Sequence, residues 1–301
     1  MPQHPVSRFF ESQRLKLHYV EWGDRDAPPL ILVHGGRDHC RNWDWVAREL
    51  RSDWRIIAPD LRGHGDSDWC PSGIYTYDAY VWDLLALIEH LHIEQATIIG
   101  HSLGGNIALR LAAAFPERLR RLVCIEGLGT SPSEVERTYG RPYSQRLRED
   151  ALHRLSLPSR PTHRYTSLEQ AVEHFHSRNP TLSRAQAEHL ANHGLRQHRD
   201  GSLTWKFDDY SRKPSQICAS EPELRQLIAQ VSCPVLLPWG GQSFFSLAEN
   251  QARIKLFRDA EVKLYPTAGH WLHHDQLEQL LGDVQIFLSE SRESHPSMTA
   301  W

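Results

Sequence analysis

The sequence predicts an α/β protein with a mostly parallel central sheet, flanked by helices and interrupted by an inserted helical cap. Three features of the 301-residue chain point to this class. Short apolar runs alternate with amphipathic stretches of helical periodicity in the first part of the chain, and the same alternation returns near the end. Between these parts lies a polar stretch rich in Arg, His, Gln and Pro. Strands separated by helices imply right-handed crossovers, so one interrupted sheet fits this order better than two consecutive domains.

The first part of the chain contains five predicted strands and three predicted helices. The strands are short apolar runs, at Leu15–Trp22, Leu30–Val33, Trp54–Ala58, Ala96–Ile99 and Leu119–Ile125. The helices have apolar residues at helical spacing, at about Asn42–Leu50, Asp78–Leu91 and Gly104–Phe115. Pro116 ends the third helix, because proline has no amide proton to continue it.

The remainder of the chain divides into the polar stretch and a second run of strands and helices. The polar stretch has helical patches at Leu168–Ser177 and Arg184–His193. After it, the predicted elements are the strands Pro234–Trp239 and Glu261–Tyr265 and the helices Leu247–Phe257 and Asp275–Leu288. The predicted domains are therefore a first core part at 1–128, the helical cap at 129–220, a second core part at 221–289 and a frayed polar tail at 290–301.

Composition narrows the function classes. The 34 basic and 37 acidic residues give a net charge of −3, which argues against a nucleic-acid partner, because such proteins carry a basic surface. No apolar run approaches the ~18 residues of a membrane span, and the N-terminus lacks the apolar segment of a secretory signal. The five cysteines are odd in number and widely spaced, which is typical of reduced thiols. We therefore expect a cytoplasmic enzyme or small-molecule-binding protein; the oligomeric state stays open.

One motif carries the chemistry. GHSLG at residues 100–104 lies directly after a predicted strand and directly before a predicted helix. Strand, sharp turn and helix are the context that a GxSxG nucleophile elbow needs, with glycines because the turn leaves no room for side chains. The turn would raise the Ser102 hydroxyl above the sheet. It would also place the Leu103 amide at a helix N-terminus, where it can bind an oxyanion.

Three further motifs accompany this elbow in a fixed order. HGG at 34–36 follows a strand, DLRGHGDS occupies 60–67, and GH stands at 269–270 after the last predicted strand. With these motifs the chain resembles the α/β-hydrolase superfamily over almost its whole length, and the polar insertion falls where members carry a cap. The resemblance implies that Ser102 is the nucleophile and His270 the general base and acid. It also implies an oxyanion hole made by the amides of Gly36 and Leu103.

The triad acid departs from the superfamily pattern. The usual aspartate follows a strand as WGxxD, but residues 239–243 read WGGQS, so Ser243 stands in its place. A serine offers no negative charge to an imidazolium. Glu126 closes another strand, some relatives take their acid from this strand end, and the ends of parallel strands converge on one crevice. We predict Glu126 as the acid, with a structural contact to the cap or a missing acid as alternatives. Three other carboxylates also compete for the role: Asp208, Asp209 and Asp259.

Side chains beside the motifs are candidates for pocket walls, although each could equally pack in the interior: His39, Trp43, His101, Trp239 and Trp271. His189 and His193 have the spacing of metal ligands on a helix, but no carboxylate or cysteine stands beside them in the sequence. We therefore predict a solvated polar face there, with no metal and no cofactor.

The sequence favours a serine hydrolase that cleaves a carboxylic ester or thioester through an acyl-enzyme. Ser102 argues against the aspartate-nucleophile chemistry of haloalkane dehalogenases and epoxide hydrolases. C–C bond hydrolysis, lactone hydrolysis and lyase chemistry on the same scaffold stay open, as does a non-catalytic ligand-binding protein. The natural substrate is a small molecule that the pattern does not identify, because fold alone does not fix function. An excess of basic over acidic residues in the cap would suit an acidic ligand.

Overall fold

The computed structural model describes residues 4–212 and 219–289, and it confirms the predicted fold class. Eight strands form one sheet: β1 (Val6–Ser12), β2 (Leu15–Trp22), β3 (Pro29–Val33), β4 (Arg55–Pro59), β5 (Ala96–His101), β6 (Leu119–Ile125), β9 (Val235–Gly240) and β10 (Ala260–Tyr265). Their order in the sheet is β1-β2-β4-β3-β5-β6-β9-β10, and only the β1–β2 and β2–β4 pairs are antiparallel. The predicted tail at 290–301 lies outside the described residues.

Helices cover both faces of the sheet, because the central strands are apolar on both sides. In β3, Ile31 and Val33 face one cluster of apolar residues while Leu30 and Leu32 face the other, and all four are fully buried. The first face is covered by α2 (Tyr77–His90), α3 (Leu103–Ala114), α8 (Glu221–Gln230) and α9 (Leu247–Ile254). The second is covered by α1 (Asp44–Leu50), α10 (Leu272–Asp275) and α11 (Leu277–Ser289).

Three core regions differ from the sequence prediction. Strand β1 was not predicted, and it adds an antiparallel edge to the sheet, where Phe9 is 43% exposed. Helix α8 precedes β9 and was also not predicted. The region predicted as one helix near residue 42 is a 3₁₀ turn at Cys40–Trp43 followed by α1.

The inserted segment is mostly helical and also contains a short β-hairpin, which was not predicted. It holds α4 (Pro132–Tyr139), α5 (Tyr143–Ser156), α6 (Leu168–Arg178) and α7 (Arg184–Gly194), followed by a hairpin of β7 (Leu195–Gln197) and β8 (Leu203–Trp205). Its own core is small and centres on Tyr165 and the facing small residues of α6 and α7. Helix α5 has no buried residue at all. The cap is therefore packed much more lightly than the sheet.

The side chain of Arg253 joins the root of the cap to the core. It is fully buried in α9, and its Nη1 donates to the carbonyl oxygens of Leu128 at 3.1 Å and Thr130 at 2.7 Å. Its Nη2 pairs with Glu221, at the start of α8. One guanidinium thus contacts the chain just before the cap begins and just after it ends. No helix in the described part of the chain is both long and apolar enough to cross a membrane.

Candidate active site

Ser102 lies in a sharp turn between β5 and α3. Its backbone has φ 51° and ψ −113°, a region that residues other than glycine rarely enter. The flanking glycines are required by contact: a Cβ on Gly100 would lie 2.6 Å from the Gly104 carbonyl, and one on Gly104 would lie 2.2 Å from the Val33 oxygen. The Ser102 amide donates to the Ile125 carbonyl at 2.8 Å. The turn therefore has the geometry of a nucleophile elbow.

The loop after β3 runs beside this elbow. A Cβ on Gly35 would lie 3.5 Å from the Ser102 Cβ, and one on Gly36 would lie 3.9 Å from the Leu103 Cδ2. The two backbone segments predicted to form an oxyanion hole are thus neighbours. His34 fixes the loop: its Nδ1 donates to the Gly35 carbonyl at 2.7 Å, and its Nε2 accepts from the Leu61 amide. Burial lowers the pKa of His34 to about 3, so its imidazole is neutral.

Glu126 lies just past the end of β6 and contacts His270. Its Oε2 accepts from His270 Nδ1 at 2.5 Å, and the two residues are 144 positions apart in the chain. The Glu126 side chain is fully buried, whereas that of His270 is 16% exposed. Glu126 has φ 48°, a strained conformation for a residue with a side chain. The structure therefore brings the predicted acid and the predicted base together.

Ser243 stands beside this pair, where the usual aspartate of the superfamily would be. Its Oγ donates to Glu126 Oε2 at 2.7 Å, and the Gly240 amide donates to Glu126 Oε1 at 2.8 Å. With His270, these groups supply three donors to one carboxylate. Sequence reasoning assigned Ser243 no role; the signal was present in its position, since it follows β9, which neighbours β6 in the sheet.

The three alternative acids lie elsewhere. Asp208 accepts from the Tyr75 hydroxyl at 2.6 Å, and Asp209 pairs with Arg212 at 2.5 Å. Asp259 precedes β10 and therefore lies at the amino edge of the sheet, opposite the edge that carries Glu126.

Aromatic rings surround His270. The Phe244 and Phe245 rings lie 4.6 Å and 5.1 Å from its ring centre, and Phe244 is 77% exposed. On the other side, His101 Nε2 donates to the His270 backbone carbonyl at 2.9 Å. Because His101 directly precedes Ser102, this bond joins the elbow to the loop that carries His270. Sequence reasoning missed both phenylalanines, which have no motif of their own.

Three of the predicted pocket residues lie in the interior, which corrects that expectation. Trp43, His101 and Trp239 are each 1% exposed. Trp43 stacks on His273 with ring centres 4.7 Å apart, and Trp239 Nε1 donates to the Phe245 carbonyl at 2.7 Å. These side chains pack against the residues of the site and have no surface exposed to a substrate, because the interior around them is closely packed.

The other two predicted pocket residues contact the cap. His39 is buried, and its Nε2 donates to the Leu190 carbonyl of α7 at 3.0 Å. Trp271 is half-buried, with its ring 5.8 Å from that of Phe175 in α6. A separate narrow cavity opens beside the elbow, and its walls are formed by Tyr75, Tyr77, Tyr80, Leu103 and Ser211.

The histidine pair on α7 was predicted to lie on a solvated face, but it contacts the core. His189 Nε2 lies 3.0 Å from Asp44 Oδ2, and Asp44 is fully buried at the start of α1. Arg41 Nη2 donates to the same carboxylate at 2.6 Å, and its Nη1 donates to His193 Nδ1 at 3.3 Å. Asp44 is thus the carboxylate that the sequence did not reveal. The guanidinium already neutralises it, so the group is a core–cap ion pair.

A second group with metal-ligand chemistry is buried beside β2. His18 Nδ1 donates to Asp60 Oδ2 at 2.7 Å, and the Cys40 amide donates to Asp60 Oδ1 at 2.6 Å. The Asp66 amide also donates to Oδ2, at 2.9 Å. Because protein donors occupy both oxygens of Asp60, the carboxylate acts as a connector between loops.

The comparisons with known proteins agree with this architecture. A family model described as alpha/beta hydrolase fold matches residues 28–277. A 3-hydroxybutyrate-oligomer hydrolase from Cupriavidus necator is 32% identical over 266 residues, which cover 85% of this chain and 87% of that protein. Epoxide hydrolase 4 from Mus musculus is 27% identical over 286 residues, covering 92% and 77%.

Solved structures give the same result. The crystal structure of a hypothetical protein from Pseudomonas aeruginosa superposes with a TM-score of 0.82 at 28% identity, covering 94% of this chain and 99% of the other. Because the family model spans most of the chain and the elbow, loops and sheet order agree with it, the chain belongs to the α/β-hydrolase family.

Proposed function

We propose that the protein is a serine hydrolase that cleaves a carboxylic ester or thioester through an acyl-enzyme on Ser102. The observation that carries this proposal is the 2.5 Å contact between Glu126 and His270 Nδ1, beside an elbow that holds a serine. The contact leaves Nε2 of His270 as the basic nitrogen, because Nδ1 keeps its proton to donate to the carboxylate.

The reaction follows from these positions. His270 Nε2 takes the proton of the Ser102 hydroxyl as its oxygen attacks the carbonyl carbon of the substrate. The amides of Gly36 and Leu103 stabilise the oxyanion of the tetrahedral intermediate. His270 then protonates the leaving oxygen or sulfur, and the acyl-enzyme forms. Water, activated by the same imidazole, attacks the acyl carbon and releases the acid and free Ser102.

Glu126 acts through His270. Its carboxylate holds the imidazole in the tautomer with a proton on Nδ1, and it stabilises the imidazolium that forms in each step. The donors on Gly240 and Ser243 fix the carboxylate oxygens in place and stabilise their charge. Ser243 is therefore a positioning residue in this mechanism.

The chemistry of the nucleophile favours ester over epoxide cleavage, although one relative is named an epoxide hydrolase. A carboxylate nucleophile that opens an epoxide forms an ester, which water can then hydrolyse at its carbonyl carbon. A serine that opened an epoxide would form an ether, which has no carbonyl carbon for water to attack. The relative that acts on 3-hydroxybutyrate oligomers supports the ester, because a hydroxy acid forms oligomers through ester bonds.

The test is intact-mass labelling with a fluorophosphonate, which needs no knowledge of the substrate. We expect rapid single labelling of the wild-type protein and none of Ser102→Ala. The matched control is Ser52→Ala, at an exposed serine remote from the motifs, which should label like the wild type. Labelling that persists in Ser102→Ala would place the reactive group elsewhere. No labelling of a folded wild-type protein would favour a lyase or a non-catalytic binding protein.

A further inference from the structure

Phe244 presents an exposed aromatic ring to the base of the proposed triad. Its ring centre lies 4.6 Å from that of His270, with an angle of 50° between the two planes. The residue is nevertheless 77% exposed, as exposed as any large apolar residue that the structure describes. Single apolar side chains on a protein surface are ordinary, so exposure alone shows nothing. Exposure together with ring contact to the proposed base marks a surface that a ligand can cover.

The residues on either side of Phe244 are anchored. The Oγ of Ser243 donates to the carboxylate of the proposed triad at 2.7 Å and accepts from the Phe245 amide at 3.2 Å. The ring of Phe245 packs on the apolar cluster at the first face of the sheet, and its carbonyl accepts from Trp239 Nε1 at 2.7 Å. Hydrogen bonds and packing thus hold the backbone before and after Phe244. An anchored turn therefore presents its ring to His270.

The leaving group of the proposed reaction must lie near this ring. Nδ1 of His270 is bound to Glu126, so Nε2 protonates the leaving oxygen or sulfur. Proton transfer requires these two atoms to lie within about 3 Å of each other. The chain attached to the leaving atom therefore starts beside the imidazole, and its next few atoms come within reach of Phe244. The acyl chain branches off at the carbonyl carbon and diverges from the leaving group there.

We propose that Phe244 binds the leaving group of the substrate, and that the enzyme prefers esters or thioesters whose alcohol or thiol carries an apolar group, aromatic above all. This inference rests on the proposed function, since it concerns the substrate of the same site. An aromatic group suits the place because covering the ring removes apolar surface from water, and offset or edge-on ring pairs add further attraction. Phe245, whose ring centre lies 4.7 Å from that of Phe244 and 5.1 Å from that of His270, extends the apolar surface.

The test compares one ester with two isomers that carry an added phenyl group. Propyl butanoate is the reference, 3-phenylpropyl butanoate has the phenyl on the alcohol side, and propyl 4-phenylbutanoate has it on the acyl side. In both isomers three carbons separate the phenyl from the ester group, so their intrinsic reactivity is matched. By titration of the released acid, we expect kcat/KM to be about 5- to 20-fold higher for the alcohol-side isomer than for the reference, mainly through a lower KM. The acyl-side isomer should show a smaller gain.

Variants assign the alcohol-side gain, the ratio of kcat/KM for 3-phenylpropyl butanoate to that for propyl butanoate, to Phe244. A loss common to both esters, such as a shift of His270, cancels in this ratio. In Phe244→Ala we expect the gain to fall by about 5- to 10-fold, and truncation of an exposed side chain leaves no cavity in the core. Phe244→Leu should keep part of the gain, because leucine is apolar but has no ring. The matched control Phe9→Ala, at an exposed phenylalanine on the edge strand β1, away from β9, should keep the wild-type gain.

The outcomes separate the inference from the proposed function. No alcohol-side gain in the wild type, a larger gain for the acyl-side isomer, or an unchanged gain in Phe244→Ala overturns the inference and leaves the proposed function intact. Fluorophosphonate labelling of Ser102 without hydrolysis of any of the three esters also overturns the inference but leaves the serine chemistry. Hydrolysis of none of them, together with no labelling, overturns the proposed function and the inference with it.

Discussion

The two sides of the candidate site are built by different means. On the serine side, formed by residues 34–36 and 100–104, backbone contact fixes the geometry: glycines stand where a Cβ would overlap a carbonyl oxygen. On the acid side, formed by Glu126, Gly240, Ser243 and His270, hydrogen bonds to one carboxylate fix it. A close backbone contact tolerates almost no substitution. In a side-chain network, by contrast, a group such as the carboxylate can be supplied from a different position in the sequence. In the proposed mechanism the triad acid therefore stands at a different position from the superfamily's aspartate, while the elbow keeps the GxSxG sequence.

The largest effect should come from the serine side, through Gly104→Ala. The new Cβ would lie 2.2 Å from the Val33 oxygen, so the elbow must shift by about 1 Å. Misplacing the nucleophile costs about 10²-fold, and losing the Leu103 oxyanion donor costs a further 10²-fold or more. We expect kcat/KM to fall by about 10⁴-fold in an esterase assay.

The control for this variant is Gly282→Ala. Gly282 lies in α11, and a Cβ there would meet nothing within 4 Å. We expect unchanged activity and a free energy of unfolding raised by about 0.5–1 kcal/mol, because alanine favours the helix. Equal activity of the two variants would contradict the view that backbone contact sets the elbow.

The next effect tests the acid side, through Glu126→Gln. The amide keeps the shape of the carboxylate but cannot stabilise the imidazolium. We expect kcat to fall by about 10²–10⁴-fold, as in other triads that lose their acid charge. The labelling rate of Ser102 by fluorophosphonate measures the same loss, and Glu278→Gln, at an exposed position, is the control. A wild-type rate in Glu126→Gln would mean that His270 works without a charged partner.

A double variant sharpens the idea that the acid can change its position. Ser243 lies 2.7 Å from the oxygen of Glu126 that contacts His270. In Glu126→Gln with Ser243→Asp we expect part of the lost kcat to return, because the aspartate offers a carboxylate from the neighbouring strand end. No recovery in a folded protein would mean that the position of Glu126 is fixed after all.

Low pH should lower the free energy of unfolding, because the serine side contains buried neutral histidines. Burial lowers the pKa of His34 to about 3 and that of His101 well below its ordinary value. The unfolded chain takes up protons near pH 6.5, so below that pH it binds more protons than the folded chain. These histidines therefore do not lower the free energy of unfolding above pH 6.5. It falls by about 1.4 kcal/mol per pH unit for each such histidine as pH is lowered toward 3.

Urea unfolding between pH 5 and 8 measures this slope. We expect His101→Asn to reduce it, whatever the substitution does to stability at pH 8. The exposed His163→Asn serves for comparison. An identical slope in His101→Asn and the wild type would show that His101 does not contribute to the acid sensitivity.

The smallest effect should come from Ser243→Ala. It removes one of three donors to Glu126 and leaves the other two in place. We expect kcat to fall by about tenfold, the value of one hydrogen bond to a charged group. A loss as large as that of Glu126→Gln would give Ser243 a greater part than positioning.

The sequence predicted the core strands closely, because their apolar runs are bounded by turns. It missed β1, whose exposed residues interrupt the apolar pattern at the sheet edge. It also missed α4 and α5, which bury one residue and none, so they show no apolar stripe. The strands of the β7–β8 hairpin have three residues each, too few for an alternation to be read.

The candidate site was likewise only partly predictable from the sequence. Ser102 and Leu103 could be proposed from the sequence because the tight turn of the elbow restricts which residues can follow one another. Gly36 was proposed from the resemblance of HGG to the superfamily's oxyanion loop, and Glu126 from its place at a strand end. The contacts of Ser243 and of Phe244 could not be found, because they depend on which strands are neighbours in the sheet rather than on local sequence. The burial of Trp43 likewise depends on packing between distant parts of the chain.

The buried Arg253 has a mechanical consequence. It holds the carbonyl groups of Leu128 and Thr130 at one end of the cap and Glu221 at the other, so both ends are pinned at nearly the same point. Glu126 lies two residues before Leu128, so the same guanidinium also restrains the chain segment that carries this carboxylate. Helix α7 is held to the core separately, by His39 and Asp44. The cap could therefore leave the core only if both sets of contacts broke, and its two ends would stay joined through Arg253 when those of α7 alone are lost.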